Sequence, residues 1–146
     1  SDLVSSWLQA AAAGGAAAAA WALVEPLDQR LFRFPYSDVA ILGKLVTRGP
    51  RWRAIGAAMH VTNGVVAGLV FQAVYELIGG NLFWLAIAFA MVEHVVTYPL
   101  TLLTDRYHPA RGAPELPPMS RSGRAFAQAT FRHLLFGVVL GLLVSV

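Results

Sequence analysis

Among the ionisable residues inside the long apolar stretches of this chain are, in order, Glu25, His60, Glu93 and His133. Carboxylates and imidazoles are costly in such surroundings and need either each other or a ligand. Brought together, two of each make a donor set suited to one divalent ion such as Zn, Mn or Fe. The same groups could instead form two Glu–His hydrogen bonds that fix helix register. A haem b held axially by His60 and His133 is a further option, although the two glutamates argue against it. In a proton-coupled transporter the same pairs would carry protons.

The spacing of these residues repeats. His60-Val-Thr-Asn-Gly-Val-Val-Ala-Gly-Leu69 and His133-Leu-Leu-Phe-Gly-Val-Val-Leu-Gly-Leu142 share the pattern His-x-x-x-Gly-Val-Val-x-Gly-Leu. Likewise Ala20-Trp-Ala-Leu-Val-Glu25 aligns with Ala88-Phe-Ala-Met-Val-Glu93. Ala and Val matches are cheap in an apolar chain, but His and Glu are rare there and match in the same order. A duplication is therefore expected, with repeat 1 over about 3–78 and repeat 2 over about 82–146. Its pseudo-two-fold axis would stand along the membrane normal. Asp28, Asn63, His94 and Arg132 break the repeat, facing Val96, Phe136, Pro26 and Met59 in the alignment. These four are candidates for contacts to a ligand around the Glu/His site. Arg132 is expected to snorkel to the interface, with Asp28 or a repeat glutamate as its alternative partner.

Such residues need helices to carry them. Of the 146 residues 57% are hydrophobic and only 13% charged, too few to cover a soluble domain with polar surface. A bilayer-crossing helix takes about 20 mostly apolar residues. Four stretches qualify: about Leu3 to Glu25, Ala54 to Ile78, Leu82 to Leu103, and Ala125 to Val146. Gly79, Gly80 and Asn81 form a tight turn, which predicts that the second and third spans are antiparallel neighbours. Ser37 and Asp38 can cap a short amphipathic helix with Val39, Leu42 and Val46 on one side, lying along the interface. The connection Asp105 to Arg121, with Pro109, Pro114, Pro117 and Pro118, should be irregular. The fold class is thus all-α: one integral membrane domain, 1–146, built as an antiparallel four-helix bundle of two repeated hairpins with an interfacial helix.

Small residues at every fourth position give the bundle its grooves. Gly56, His60, Gly64 and Gly68 form one such row, and Ala129, His133, Gly137 and Gly141 another. Both imidazoles should then sit on the order of 10–14 Å beyond the arginines that precede their spans.

Arg30, Arg33, Lys44, Arg48, Arg51, Arg53, Arg106, Arg111, Arg121 and Arg124 all lie in or beside two connections on one side. That side is expected to be cytoplasmic, with both chain ends outside. All but one of the basic residues are Arg, a composition that hints at a bacterial cytoplasmic membrane. No basic face remains for nucleic acid once the spans are set aside. With no cysteine, thiolate metal sites and iron–sulfur clusters are excluded. Expected partners are the bilayer and a lipid-like ligand. The size is compatible with a homo-oligomer or with a place in a larger membrane complex. Binding, metal-assisted chemistry on a lipid and an accessory structural role all fit the pattern, and the sequence does not decide between binding and catalysis.

The orientation is open to direct test. Cysteines placed at Lys44 and Arg111 should react with an impermeant label from the cytoplasm, and one at Asn81 from outside. Labelling of Lys44 and Asn81 from the same side contradicts the four-span topology.

Overall fold

The computed structural model describes residues 2–146, and every regular element among them is helical. Six α-helices follow in chain order: α1 (Asp2–Phe32), α2 (Asp38–Val46), α3 (Trp52–Ile78), α4 (Leu82–Thr97), α5 (Thr101–Tyr107) and α6 (Gly123–Val144). A single 3₁₀ turn at Tyr98–Leu100 joins α4 to α5, where Pro99 cannot donate to the helix ladder. Four helical segments are long and apolar enough to cross a membrane: α1, α3, α4 continued through α5, and α6. The chain is a polytopic membrane protein by that criterion.

The first span runs further than its apolar stretch. Helix α1 continues through Pro26 to Phe32 and so carries Asp28 as well as Glu25. It ends where Arg33 takes a left-handed φ of 53° and Phe34 N donates back to Gln29 O. Gln29 Nε2 then donates to the carbonyls of Pro35 and Tyr36, tying the turn to the helix end.

Small residues decide which helices meet. Gly64 and Gly68 of α3 lie against the backbone of Ala10 and Gly14 and the methyl of Ala18 on α1. Gly137 of α6 lies against Ala86, Ile87 and Ala90 of α4, and Gly141 against Phe83. Helices α1 and α6 also pack on each other, so the order across the bundle is α3, α1, α6, α4. The expectation that the second and third spans are packed neighbours is therefore corrected. Helices α3 and α4 share a turn, with Asn81 capping Trp84 N, and touch near it through Phe71 and Phe89, ring centroids 5.6 Å apart. Beyond that they diverge, because α3 has committed its glycine ridge to α1 and α4 has committed Ala86 and Ala90 to α6.

Helix α2 is capped by Ser37, whose side chain accepts from Ala40 N. It buries Val39, Ala40 and Gly43, not the Val39–Leu42–Val46 side expected from the pattern, and leaves Leu45 and Val46 exposed. Gly43 and Val39 meet Gly56 and Trp52 at the start of α3, a close approach that a longer side chain would block. The proline-rich connection has no helix between His108 and Ser122 but is pinned throughout. Asp105 accepts from Met119 N and Ser120 N, and the Tyr98 hydroxyl donates to Met119 O. Lys44 Nζ meets Glu115 Oε2 at 2.8 Å and holds that carboxyl below the usual carboxylate range.

A Cβ at Gly64 would collide with Ala18 and with the Gly14 carbonyl, whereas one at Gly123 would meet nothing within 4 Å. Gly64→Val should therefore cost about 1–3 kcal/mol of stability in detergent or bicelles. Gly123→Ala should change it by no more than about 0.5 kcal/mol. Equal tolerance at both sites would show that the α1–α3 contact is not the close one described.

Candidate functional site

The arginine-bearing end of the bundle holds a buried charge cluster. Arg132 of α6 is 0% exposed. Its Nε and Nη2 donate to the two oxygens of Asp28 at 2.7 and 2.6 Å, a bidentate pair between α6 and α1. Nη2 also donates to Tyr36 O, and Nη1 donates to Asp38 Oδ2 at 2.9 Å. The guanidinium lies over the Tyr36 ring, 4.5 Å from its centroid. Gln128, one turn before Arg132, donates to Asp28 and to Phe34 O. The arginine thus fastens the α1–α2 loop between α1 and α6. The expectation that Arg132 snorkels is corrected: three carboxylates within reach neutralise it where it stands.

Glu25 belongs to this cluster. It accepts from Ser37 Oγ at 2.5 Å and from Asp38 N at 3.1 Å, and its Oε2 lies 3.6 Å from Arg132 Nη1. Burial, with the Asp38 charge second, pushes the Tyr36 phenol up, so Tyr36 remains a donor, to Asp38 Oδ1 at 2.6 Å.

The other residues singled out from sequence lie around a cavity of about 310 Å³ where α3 and α4 diverge. His60 and Asn63 line it from α3; Glu93, His94 and Thr97 line it from α4. Its back is Trp21 of α1 with His133 and Phe136 of α6, and its arginine-bearing end is closed by Asp38, Tyr98 and Thr101. His60 and His133 both pack edge-on against Trp21, with centroids 4.9 and 4.7 Å from the indole. His133 and His94 stand 4.9 Å apart by centroid, tilted by 30°.

Glu25, His60, Glu93 and His133 are therefore not brought to one point. Glu25 turns to Ser37 and Arg132, and His60 to Trp21. Only Glu93 and His133 approach each other, with Oε1 and Nε2 3.5 Å apart. Among the described residues no three His, Asp or Glu side chains form a group that could hold a metal ion. Both imidazoles expected to flank a haem pack against the Trp21 ring. Of the four residues that break the repeat, Asp28 and Arg132 pair with each other, while Asn63 and His94 line the cavity. Sequence reasoning missed Asp38 and Tyr36 as partners of Arg132, since Asp38 reads as an ordinary first-turn acid. The signal available was the Arg132–Asp28 alternative, because a buried Arg needs more acceptors than one carboxylate supplies.

Three polar atoms in the cavity wall have no hydrogen-bond partner among the described residues: Trp21 Nε1, His60 Nε2 and His94 Nδ1. Their residues are only 7%, 8% and 2% exposed. Buried polar atoms are ordinarily satisfied, and these three belong to side chains of the cavity wall although packing covers the atoms themselves. Chemistry fixes one of their roles. The indole N–H only donates. The Thr130 hydroxyl lies 2.8 Å from both Phe126 O and His94 Nε2, and which of the two takes its proton sets the His94 tautomer. His133 differs: its Nδ1 donates to Ala129 O at 2.8 Å, and its Nε2 faces Glu93.

Comparison with known families, with characterised proteins and with solved structures found no match. The function is accordingly argued from the site alone.

Proposed function

We propose that this chain is a membrane-embedded binding protein that admits a lipid-like molecule from the side, between α3 and α4. The observation that carries this reading is the cavity between those helices, whose wall includes His60, Asn63, Glu93 and His94 among apolar side chains. In a bilayer such a gap fronts hydrocarbon, so an acyl or isoprenoid chain can fill it while a polar end reaches Trp21, His60 and His94. Pockets of this kind are largely apolar, with a few placed polar groups that set orientation. The arginine-bearing end is taken as cytoplasmic, which puts the polar end of the cavity in that half of the membrane.

The two hairpins are read as a duplicated unit whose halves have diverged. In support, Gly64 meets Ala18 while Gly137 meets Ala86, and these contacts correspond in the sequence alignment. On this reading Glu25 has been recruited to the Arg132 cluster, while Glu93 has been left beside the cavity. A divalent ion is the second reading, favoured by the Glu93 Oε1–His133 Nε2 approach of 3.5 Å.

A fatty-chain probe carrying a diazirine near its polar end tests the first reading in reconstituted membranes. Cross-links should concentrate on Asn63 and Thr97 and fall several-fold in Ala67→Trp, which fills the cavity. Labelling spread evenly over lipid-facing residues such as Leu23 and Leu77 would count against a specific site. Stoichiometric metal in the purified protein, lost in His133→Ala, would move the assignment to the second reading.

A further inference from the structure

We infer that the occupant carries a protonated primary amine, an alkylammonium head held between Glu93 and His133. This rests on the reading of the cavity as a lipid-binding site. Glu93 lines the cavity from α4, and its side chain is 38% exposed. Among the described residues its one ionic neighbour is His133, with Oε1 and Nε2 3.5 Å apart. The far side of that imidazole fixes its tautomer. A backbone carbonyl only accepts, so the contact of His133 Nδ1 with Ala129 O at 2.8 Å puts the ring proton on Nδ1. Neutral His133 therefore turns a lone pair toward a carboxylate, two acceptors with no hydrogen between them. A charged His133 would donate instead, but 3.5 Å is longer than the about 2.7–2.9 Å of a charge-assisted hydrogen bond. A third group that brings hydrogens to both acceptors completes the pair.

Depth and charge select that group. Counted from Leu82 at the start of α4, Glu93 lies roughly 16 Å along a span that crosses about 30 Å of hydrocarbon. A carboxylate at that depth needs a compensating charge. Among the described residues no Lys or Arg lines the cavity, and Arg132 has its donors committed to Asp28, Asp38 and the Tyr36 carbonyl. The cation therefore arrives with the ligand. A phosphate or carboxylate head would set like charges side by side. A hydroxyl can donate to one acceptor but leaves the Glu93 charge uncompensated. A quaternary ammonium compensates the charge but has no N–H for His133. A primary ammonium carries three N–H donors and serves both. A divalent ion finds too few ligands, since among the described residues no three His, Asp or Glu side chains form a group that could hold one.

The test uses the full chain with Trp7, Trp52 and Trp84 changed to Phe. Trp21, 4.7 Å from the His133 ring by centroid, then alone reports on the pair. In phosphatidylcholine nanodiscs at neutral pH, with chelator present, it is titrated separately with oleylamine, oleyltrimethylammonium, monooleoylglycerol and oleyl phosphate, which share one chain. Oleylamine should shift Trp21 emission with half-saturation at least about tenfold lower than each of the others, a difference of about 1.4 kcal/mol. Glu93→Gln should remove that preference while leaving chain-dependent binding. Should that variant fail to fold, the four-lipid comparison with Glu93 intact decides alone. Monooleoylglycerol or oleyl phosphate binding as tightly as oleylamine overturns the amine assignment but keeps the cavity as a lipid site. A preference that survives in Glu93→Gln also overturns it. Oleyltrimethylammonium binding as tightly as oleylamine overturns the choice of a primary amine, because N–H donation to His133 would then count for nothing. If none of the four lipids gives a saturable shift, the lipid-binding reading itself falls, and this inference falls with it.

Discussion

A guanidinium with no exposed surface cannot remain charged in a membrane helix unless acceptors surround it, and this requirement organises one end of the molecule. Arg132 reaches Asp28 on α1, Asp38 at the start of α2 and the Tyr36 carbonyl in the loop between them. Three segments are thereby held at fixed distance from α6. The arrangement also explains why α1 extends past Pro26. The extra turn places Asp28 where the arginine requires it, and the hydrogen bonds of Gln128 and Gln29 hold that turn in place. A buried ion pair of this sort fixes geometry more surely than it adds net stability.

The opposite determinant is the supply of small residues. Close backbone approach in a bilayer needs glycine or alanine on both sides, since lipid offers no hydrophobic drive toward association. The chain spends those residues on α1–α3 and α4–α6, and across the remaining α3–α4 face Phe71 meets Phe89. The cavity is the consequence of that allocation. Its arginine-bearing end is formed by Tyr36 and Asp38, the residues that Arg132 immobilises, so the ion cluster and the cavity share a wall. One is structural, the other open to a ligand.

Much of this frame was legible in the amino-acid sequence. The four apolar segments, the cap at Ser37 and the glycine ridge of Gly64 and Gly68 each follow from local rules and reappear in the structure. The helix neighbours did not follow, because a tight turn at Gly79–Asn81 specifies connection but not packing beyond the turn. Nor did the convergence of Glu25, His60, Glu93 and His133. Depth along a helix can be counted from sequence, whereas rotation about the helix axis is set by which ridge packs. Glu25 was drawn away by Ser37 and Arg132, and the partners of Arg132 lay in a loop whose path no periodicity encodes. The polar residues without a polar counterpart in the aligned segments were the better guide, since Asp28, Asn63, His94 and Arg132 all lie in the ion cluster or the cavity wall.

The central claim is that the Asp28–Arg132 pair holds the loop that closes the cavity, and a double-mutant cycle in bilayer-like bicelles tests it most directly. Arg132→Met alone strands Asp28 and Asp38 without their cation and should cost about 3–5 kcal/mol of stability. Combined with Asp28→Leu, much of that loss should be recovered, giving a coupling energy of about 2–3 kcal/mol. Additive single and double substitutions, with coupling below about 0.5 kcal/mol, would contradict the account by showing that the two side chains do not act as a unit.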